Sequence, residues 1–541
     1  MGLIMKNNKL CVVGILSLCV TACGQQPRLQ ESAASARIMQ RSALPAPSAI
    51  ANIAHSSPVI GKHREAYSLN TEKYQKNAIN PVKRVSEEAV STFSIDVDTG
   101  SYTNVRRYLQ RQTRLPPVDA IRIEEMINYF NYDYPQVKSE HPFTLNTEVV
   151  DSPWKQNAKL IRIGIKANDI EYAQLPAANL VFLIDVSGSM AGKSKLELVK
   201  KTLKILTAQL REQDRVTIVT YSGHEEIVLE ATSGKHKQKI LNVIDSLEAD
   251  GATSGERAIR MAYDQAEKSF IKNGINRILI ATDGDFNVGV TDFDTLKGMV
   301  EEKRKTGISL TTLGYGVDNY NEHLMEQMAD AGDGNYSYID NEKEARKVVE
   351  RQLSSTLATV AQDVKIQVEF NPATVKEYRL VGYENRVLKE EDFNNDQVDA
   401  GDIGAGHTVT ALYEIIPTGV VGWLSESRYQ KKAQDKSNSN EYAFLKLRYK
   451  LPNQQKSILI NQPIKSVSKP FDQASKDTQW AVAVTSYAEL LRGGKYIGNM
   501  TWDKTIELAN KNAKPDPYLM KAEFIELVET AQKFSSKRGL D

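Results

Sequence analysis

Cysteine is nearly absent: the 541-residue chain has three, Cys11, Cys19 and Cys23, all close to its start. No internal disulfide can staple the remainder, which must be held by its own core. A charge bias is also lacking, with 69 Lys and Arg against 68 Asp and Glu, for a formal net charge of +1. That balance, with no run of Lys or Arg, argues against nucleic acid as the partner. The histidines (His55, His63, His141, His224, His236, His323 and His407) are scattered, with no metal-ligand spacing. No G-x-S-x-G elbow and no Cys/His pair offers a nucleophile, so a hydrolase has no visible machinery and no enzyme is expected. Beyond the N-terminus no apolar run reaches the ~20 residues that a bilayer-spanning helix needs. What remains is ordinary for globular protein, 41% hydrophobic and 25% charged, with length for about three domains at ~100–200 residues each.

The N-terminus has its own pattern. Lys6 and Lys9 precede an apolar run from Leu10 to Ala22, the two parts of an export signal. The run ends in Val20-Thr21-Ala22-Cys23, which resembles a bacterial lipobox. The resemblance implies a signal peptide over 1–22 that is removed, and a lipid on Cys23. Gly24 follows, where the inner-membrane retention signal places Asp, so the implied location is the cell envelope, at the outer membrane. Acyl chains would hold the protein there without a transmembrane helix. Residues 23–85, rich in Ser, Ala, Pro, Gln and Asn, read as a disordered tether, and ~60 such residues reach roughly 40–45 Å.

The first folded region is expected over 86–175, with a strand at Phe93–Val97, helices at Ser101–Arg111 and Arg122–Phe130, and a strand at Leu160–Lys166. From 176 to 358 strands and helices alternate. Leu180-Val-Phe-Leu-Ile184 is a continuous apolar run, the mark of a central parallel strand covered on both faces. Leu196, Val199, Leu203, Leu206 and Leu210 then keep helical spacing, and further strands are expected at 215–221, 226–231, 277–282, 308–314 and 336–339, with a closing helix over Lys343–Leu357. The expected class is α/β, a doubly wound and mostly parallel sheet, whose ligand site lies beyond the carboxyl ends of the strands. Residues 359–541 read as a separate α+β domain, with alternating strands and then a helix carrying Trp480, Val484, Tyr487 and Leu491.

The chemistry sits at the end of the first buried strand. Asp185-Val186-Ser187-Gly188-Ser189 sets short oxygen side chains at a strand–loop boundary. Mg²⁺ takes about six oxygens at ~2.0–2.1 Å, so one carboxylate and two hydroxyls do not complete its shell. Thr253, in a loop before a helix, and Asp283, at the end of the strand from Arg277, sit where the topology needs further donors. Together the five resemble the metal-ion-dependent adhesion site of von Willebrand factor A and integrin I domains. The resemblance implies metal ligation by Asp185, Ser187, Ser189, Thr253 and Asp283, with Mg²⁺ the expected ion and Mn²⁺ or Ca²⁺ as alternatives. It also implies an open coordination position that takes an Asp or Glu carboxylate of a protein partner. Gly251-Ala252 departs from the family's usual Gly-Gly without removing a ligand.

A rival lies in the same residues. Ser187 to Ser194 nearly matches the phosphate-cradling P-loop, but Ser187 replaces its first glycine. Asp96-Val97-Asp98-Thr99-Gly100-Ser101 has the look of a second metal loop; the plainer expectation is that Asp98 or Thr99 caps the following helix. Finally, Ser91–Thr99, Arg106-Arg107-Tyr108-Leu109, Leu115-Pro-Pro117 and Glu124–Phe130 resemble the N-terminal domain of YfbK-type bacterial lipoproteins. That resemblance implies an N-terminal domain associated with a central A domain and a C-terminal domain of unknown function. The implied role is adhesion or scaffolding; a metal-dependent hydrolase, a nucleotide-binding protein and a purely structural lipoprotein are the alternatives.

Overall fold

The computed structural model describes residues 72, 74–136, 140–251, 255–284, 293–316, 320–352, 358–425, 440–452 and 454–537. The export signal and Cys23 lie outside them. The chain is tied down earlier than the expected end of the tether at 85: the Glu72 carboxylate is fully buried, 2.6 Å from Arg107.

The described residues open with β1 (Lys83–Arg84), β2 (Val90–Ser94), α1 (Gly100–Gln110), α2 (Ile123–Asn128), β3 (Phe143–Asp151) and β4 (Lys159–Ala167). The central domain follows, with β5 (Ala178–Asp185), α3 (Leu196–Gln209), β6 (Arg215–Tyr221), β7 (Glu225–Ser233), α4 (Lys237–Ser246) and α5 (Gly255–Lys268). It continues through β8 (Ile275–Thr282), α6 (Phe293–Arg304), β9 (Ser309–Gly314), α7 (Glu322–Ala331), β10 (Tyr336–Tyr338) and α8 (Glu342–Lys347).

Its sheet runs in the order β10-β9-β8-β5-β6-β7, parallel except where β7 folds back on β6. Strand β5 is buried at every position, as its unbroken apolar run requires. Leu196, Val199 and Leu203 of α3 and Ile240 and Ile244 of α4 cover one face. Ile259 and Tyr263 of α5, Val300 of α6, and Met325 and Met328 of α7 cover the other. This is the doubly wound sheet expected from the alternation. Over the described part of the expected closing helix, α8 passes into a wider helical turn over Val348–Gln352, and residues 353–357 lie outside the described residues.

The last part contributes β11 (Thr359–Phe370), β12 (Val375–Val381), β13 (Val387–Leu388), β14 (Ile403–Gly404), β15 (Thr408–Pro417), β16 (Glu441–Lys450) and β17 (Ile458–Lys465). The helices Lys476–Leu491 (α9), Trp502–Asn512 (α10) and Met520–Lys537 (α11) follow. Two sheets, ordered β1-β12-β15-β4-β3 and β13-β2-β11-β16-β17, each draw strands from both sides of the central domain. Ile161, Ile163, Ile165, Tyr413 and Ile415 of the first share one core with Phe93, Ile366, Val368, Leu445 and Leu447 of the second. The alternation along each strand points one side chain in two at this core. The segments 86–175 and 359–541, expected to be separate domains, therefore build one β-sandwich, and the central domain is inserted between β4 and β11. Helices from both ends form a further layer, where Tyr102, Met126 and Phe130 pack with Trp480, Val484, Phe524 and Val528.

Buried ion pairs join the sandwich to the central domain. The guanidinium of Arg106, on α1, is wholly buried against Glu344 at 2.8 Å, Glu523 at 2.8 Å and Asp340. Arg122 meets Glu326 at 2.5 Å and Glu322 at 3.7 Å, both on α7. Removing one member of a buried cluster leaves the others charged and unpaired, which commonly costs 3–5 kcal/mol. Arg106→Met is therefore expected to lower stability by about 3–5 kcal/mol, seen as a lower urea midpoint. An unchanged midpoint would mean that its carboxylates are solvated in the folded protein.

Candidate metal centre

Strand β5 ends at Asp185, and the neighbouring strand β8 runs parallel to it with Ile184 opposite Ala281. The residues that follow, Asp185 on one strand and Thr282-Asp283 on the other, consequently emerge at the same edge of the sheet. The Asp185 carboxylate is completely buried. Its Oδ1 accepts the Ser187 N–H at 2.9 Å, and its Oδ2 accepts the hydroxyls of Thr282 at 2.8 Å and Tyr221 at 3.3 Å. Burial pushes the Asp185 pKa up to about 6; the hydrogen bonds from Ser187 work against that rise, and the charge of Asp283 adds to it.

Ser187 is buried and Ser189 exposed, and their hydroxyl oxygens lie 3.0 Å apart. Neighbouring ligands of an octahedral ion bound at ~2.1 Å are separated by about 3.0 Å, the edge of the octahedron. The loop is braced by the Gly188 N–H to the Gly251 carbonyl at 2.9 Å and by the Asp250 N–H to the Val186 carbonyl at 2.8 Å. These two bonds bring the 250–251 turn against the serine loop. Thr253, two residues on, lies outside the described residues. Asp283 is nearly buried, and its Oδ2 accepts from the ammonium of Lys195 at 2.8 Å. Among the described residues no group of three or more His, Cys, Asp or Glu could hold a metal ion. A cation here would therefore depend on hydroxyl donors as well as on the two aspartates, a set of hard oxygens suited to Mg²⁺ or Mn²⁺.

The near-P-loop at 187–194 is no phosphate cradle. Its N–H groups at Ser187, Gly188, Met190 and Ala191 already donate to Asp185, Gly251, Ser187 and Gly188, and helix α3 begins only at Leu196. Cradling phosphate needs those donors free and at the helix start.

The loop at Asp96–Ser101 is put to a different use from both earlier expectations. Thr99 stands at the N-cap of α1 without a capping hydrogen bond from its side chain. Asp98 accepts the Tyr336 N–H at 2.9 Å, and Arg386 places its guanidinium 3.2 Å from both Asp96 and Asp98. An arginine from a distant strand end supplies the positive charge that the motif invites. Lys195 and Arg386 are the two residues that sequence reasoning missed. Lys195 lies just past the serine loop and could have been found by its offset; Arg386 carried no local signal.

The von Willebrand factor type A domain profile matches residues 179–351. A profile described as von Willebrand factor matches 68–162, and one described as the C-terminal part of uncharacterized protein YfbK matches 355–534. This is a von Willebrand factor type A domain protein, of a class that commonly binds a divalent metal and mediates protein interactions. Uncharacterized protein YfbK of Escherichia coli (strain K12) is 46% identical over 471 residues, covering 85% of this chain and 81% of that protein. The chain belongs to the YfbK family.

Uncharacterized protein sll0103 of Synechocystis is 31% identical over 39% of this chain and 48% of its own length. Mouse inter alpha-trypsin inhibitor, heavy chain 4, is 29% identical over 32% of this chain and 18% of its own. Among solved structures, a von Willebrand factor type A protein from Catenulispora acidiphila is 14% identical with a TM-score of 0.40, covering 75% of this chain and 91% of that one.

Gly284, directly after Asp283, has φ +82, and an added Cβ would lie 2.8 Å from the backbone nitrogen of Asn321. Gly284→Ala is expected to lower the unfolding free energy by about 1–3 kcal/mol, because it combines a left-handed backbone with a backbone clash. Thermal or urea unfolding measures this; a neutral result would mean that the turn relaxes freely.

Proposed function

We propose that this chain is a lipid-anchored envelope protein whose A domain holds a divalent ion, Mg²⁺ first, at Asp185, Ser187, Ser189, Thr253 and Asp283, and there grips a carboxylate of a protein partner. The observation that carries the reading is the pair of serine hydroxyls at 3.0 Å, on the edge where two nearly buried aspartates also emerge. Hydroxyl ligands are neutral, so a bound ion would keep much of its charge for an incoming Asp or Glu. Ser189 is exposed, which leaves that side of the edge open to another molecule.

The surroundings favour a macromolecular partner. A groove of about 880 Å³, lined in part by Tyr108, Pro117, Asp119, Phe293 and Leu324, reaches Asn321, the residue that abuts Gly284. Its walls come from both the sandwich and the central domain. The role that fits is adhesion or scaffolding rather than catalysis. The anchor is Cys23, and the location is the outer membrane or its periplasmic face, supported by the lipobox-like Val20-Thr21-Ala22-Cys23 and by Gly24. No described helix is long and apolar enough to cross a membrane.

Asp185→Ala and Asp283→Ala should each abolish Mn²⁺ and Mg²⁺ binding by calorimetry while the circular dichroism of the fold is kept. Retained metal affinity in both would refute the site. Cys23→Ala should end incorporation of labelled palmitate and move the protein to the soluble fraction; continued labelling would place the lipid elsewhere. Partner capture from envelope extracts should disappear with a chelator and return with Mg²⁺, and metal-independent capture would favour a purely structural role.

A further inference from the structure

Lys195 stands just before α3 and bonds to Asp283, with Nζ 2.8 Å from Oδ2 and side-chain exposures of 16% and 2%. Its stem lies over Gly316, where an added Cβ would sit 2.6 Å from the Lys195 Cε and 3.0 Å from its Cγ. Gly316, with φ +87, is bare backbone in a conformation that favours glycine, and so leaves room for the lysine. The side chain is therefore held by packing as well as by charge. Its position is otherwise unfavourable. The start of a helix carries the positive end of the macrodipole and disfavours a cation there. Helix formation gives no reason for a lysine at this point, but the carboxylate of Asp283 does.

Charge bookkeeping gives that contact a consequence. Within the candidate ligand set Asp185 and Asp283 bring two negative charges and the hydroxyls none, so a divalent ion balances that set. The ammonium of Lys195 makes it one positive. We propose that Lys195 is the built-in counter-charge of the metal edge: it weakens the hold on the cation and strengthens the hold of the loaded edge on an anionic partner group. The inference rests on the metal-binding reading above and adds to it what sets the balance between metal affinity and ligand affinity.

In the absence of the ion, the ammonium neutralises part of the negative charge on the two nearly buried aspartates. With the ion bound, Asp283 is shared between two cations, and each weakens the attraction available to the other. An approaching carboxylate then meets a positive edge rather than a neutral one, which raises its attraction over the range that salt leaves unscreened. A unit charge at ~6 Å from a divalent ion, even at the dielectric of water, changes its affinity by about tenfold.

The test uses the purified full chain with Mn²⁺ as the probe ion and acetate as the probe carboxylate. Free Mn²⁺ is counted by electron paramagnetic resonance, and acetate binding is read as the fall in water-proton relaxation when it displaces water from bound Mn²⁺. Lys195→Met and Lys195→Gln should bind Mn²⁺ at least about tenfold more tightly and acetate several-fold more weakly. Lys195→Arg, which keeps the charge, should match the wild type in both. The proposal is overturned if a folded Lys195→Met or Lys195→Gln protein binds Mn²⁺ no more tightly than wild type, because the lysine would then serve only to position Asp283. It is equally overturned if acetate binding is unaffected. Stoichiometric Mn²⁺ binding in the wild type that is lost in Asp185→Ala keeps the underlying metal site standing whichever way Lys195 behaves. No Mn²⁺ binding in the wild type ends both readings.

Discussion

Strand pairing across the insertion is the constraint on which the rest depends. Strand β15 pairs with β4 from Thr408 opposite Lys166 to Ile415 opposite Lys159, and β11 pairs with β2 from Lys365 opposite Ser94 to Glu369 opposite Val90. Neither sheet can close until the chain beyond the central domain has returned. Contacts so distant in sequence carry a loop-closure cost that local structure does not. The inserted domain lessens it, because a folded body holds the two ends of the intervening chain at a set separation. In turn, the closed sandwich holds the central domain by both of its ends, and this lets residues of α1 and α2 reach it reproducibly.

The buried charges make sense within that arrangement. The buried Glu322 and Glu326 and the more exposed Asp330 recur every fourth residue, and so share one face of α7. Arg122 receives Glu322 and Glu326, and Arg386 receives Asp330 at 3.0 Å and Glu326 at 3.7 Å. Desolvating these groups offsets much of their mutual attraction, so the pairs contribute little net stability. Their effect is on geometry: a slipped or rotated α7 would leave carboxylates buried without partners. Helix α7 begins one residue after Asn321, whose backbone presses on Gly284 beside Asp283. The sandwich thereby defines the position of the turn that carries one of the two aspartates.

The same motif, a carboxylate accepting the N–H two residues on, occurs at Asp96 and at Asp185, each at 2.9 Å. At Asp96 the neighbouring acidic group is neutralised by Arg386, which is partly buried at a junction. At Asp185 the partners are hydroxyls and a carboxylate that the lysine shares, at an edge where Ser189 meets solvent. One loop is closed by a guanidinium, and the other leaves the Ser187 and Ser189 hydroxyls 3.0 Å apart at a solvent-facing edge. The difference lies in whether a permanent guanidinium can reach the loop.

The fold of the central domain was legible in the sequence because its signals are local. An apolar run such as Leu180–Ile184 encodes a doubly covered strand, and the spacing of Leu196, Val199 and Leu203 encodes a helix that covers it. That Asp185, Ser187, Ser189 and Asp283 would lie along one edge was legible for the same reason, since the carboxyl ends of parallel strands fall on one side of the sheet. Thr253 was named on that basis and lies outside the described residues. The single sandwich was not legible, because hydrogen bonds between β4 and β15 leave no trace in either segment alone, and each reads as an ordinary half-buried strand. Arg386 against Asp96 and Lys195 against Asp283 were likewise decided by tertiary structure. Long cationic side chains reach in many directions, and only packing against fixed neighbours such as Gly316 selects the carboxylate that each one meets.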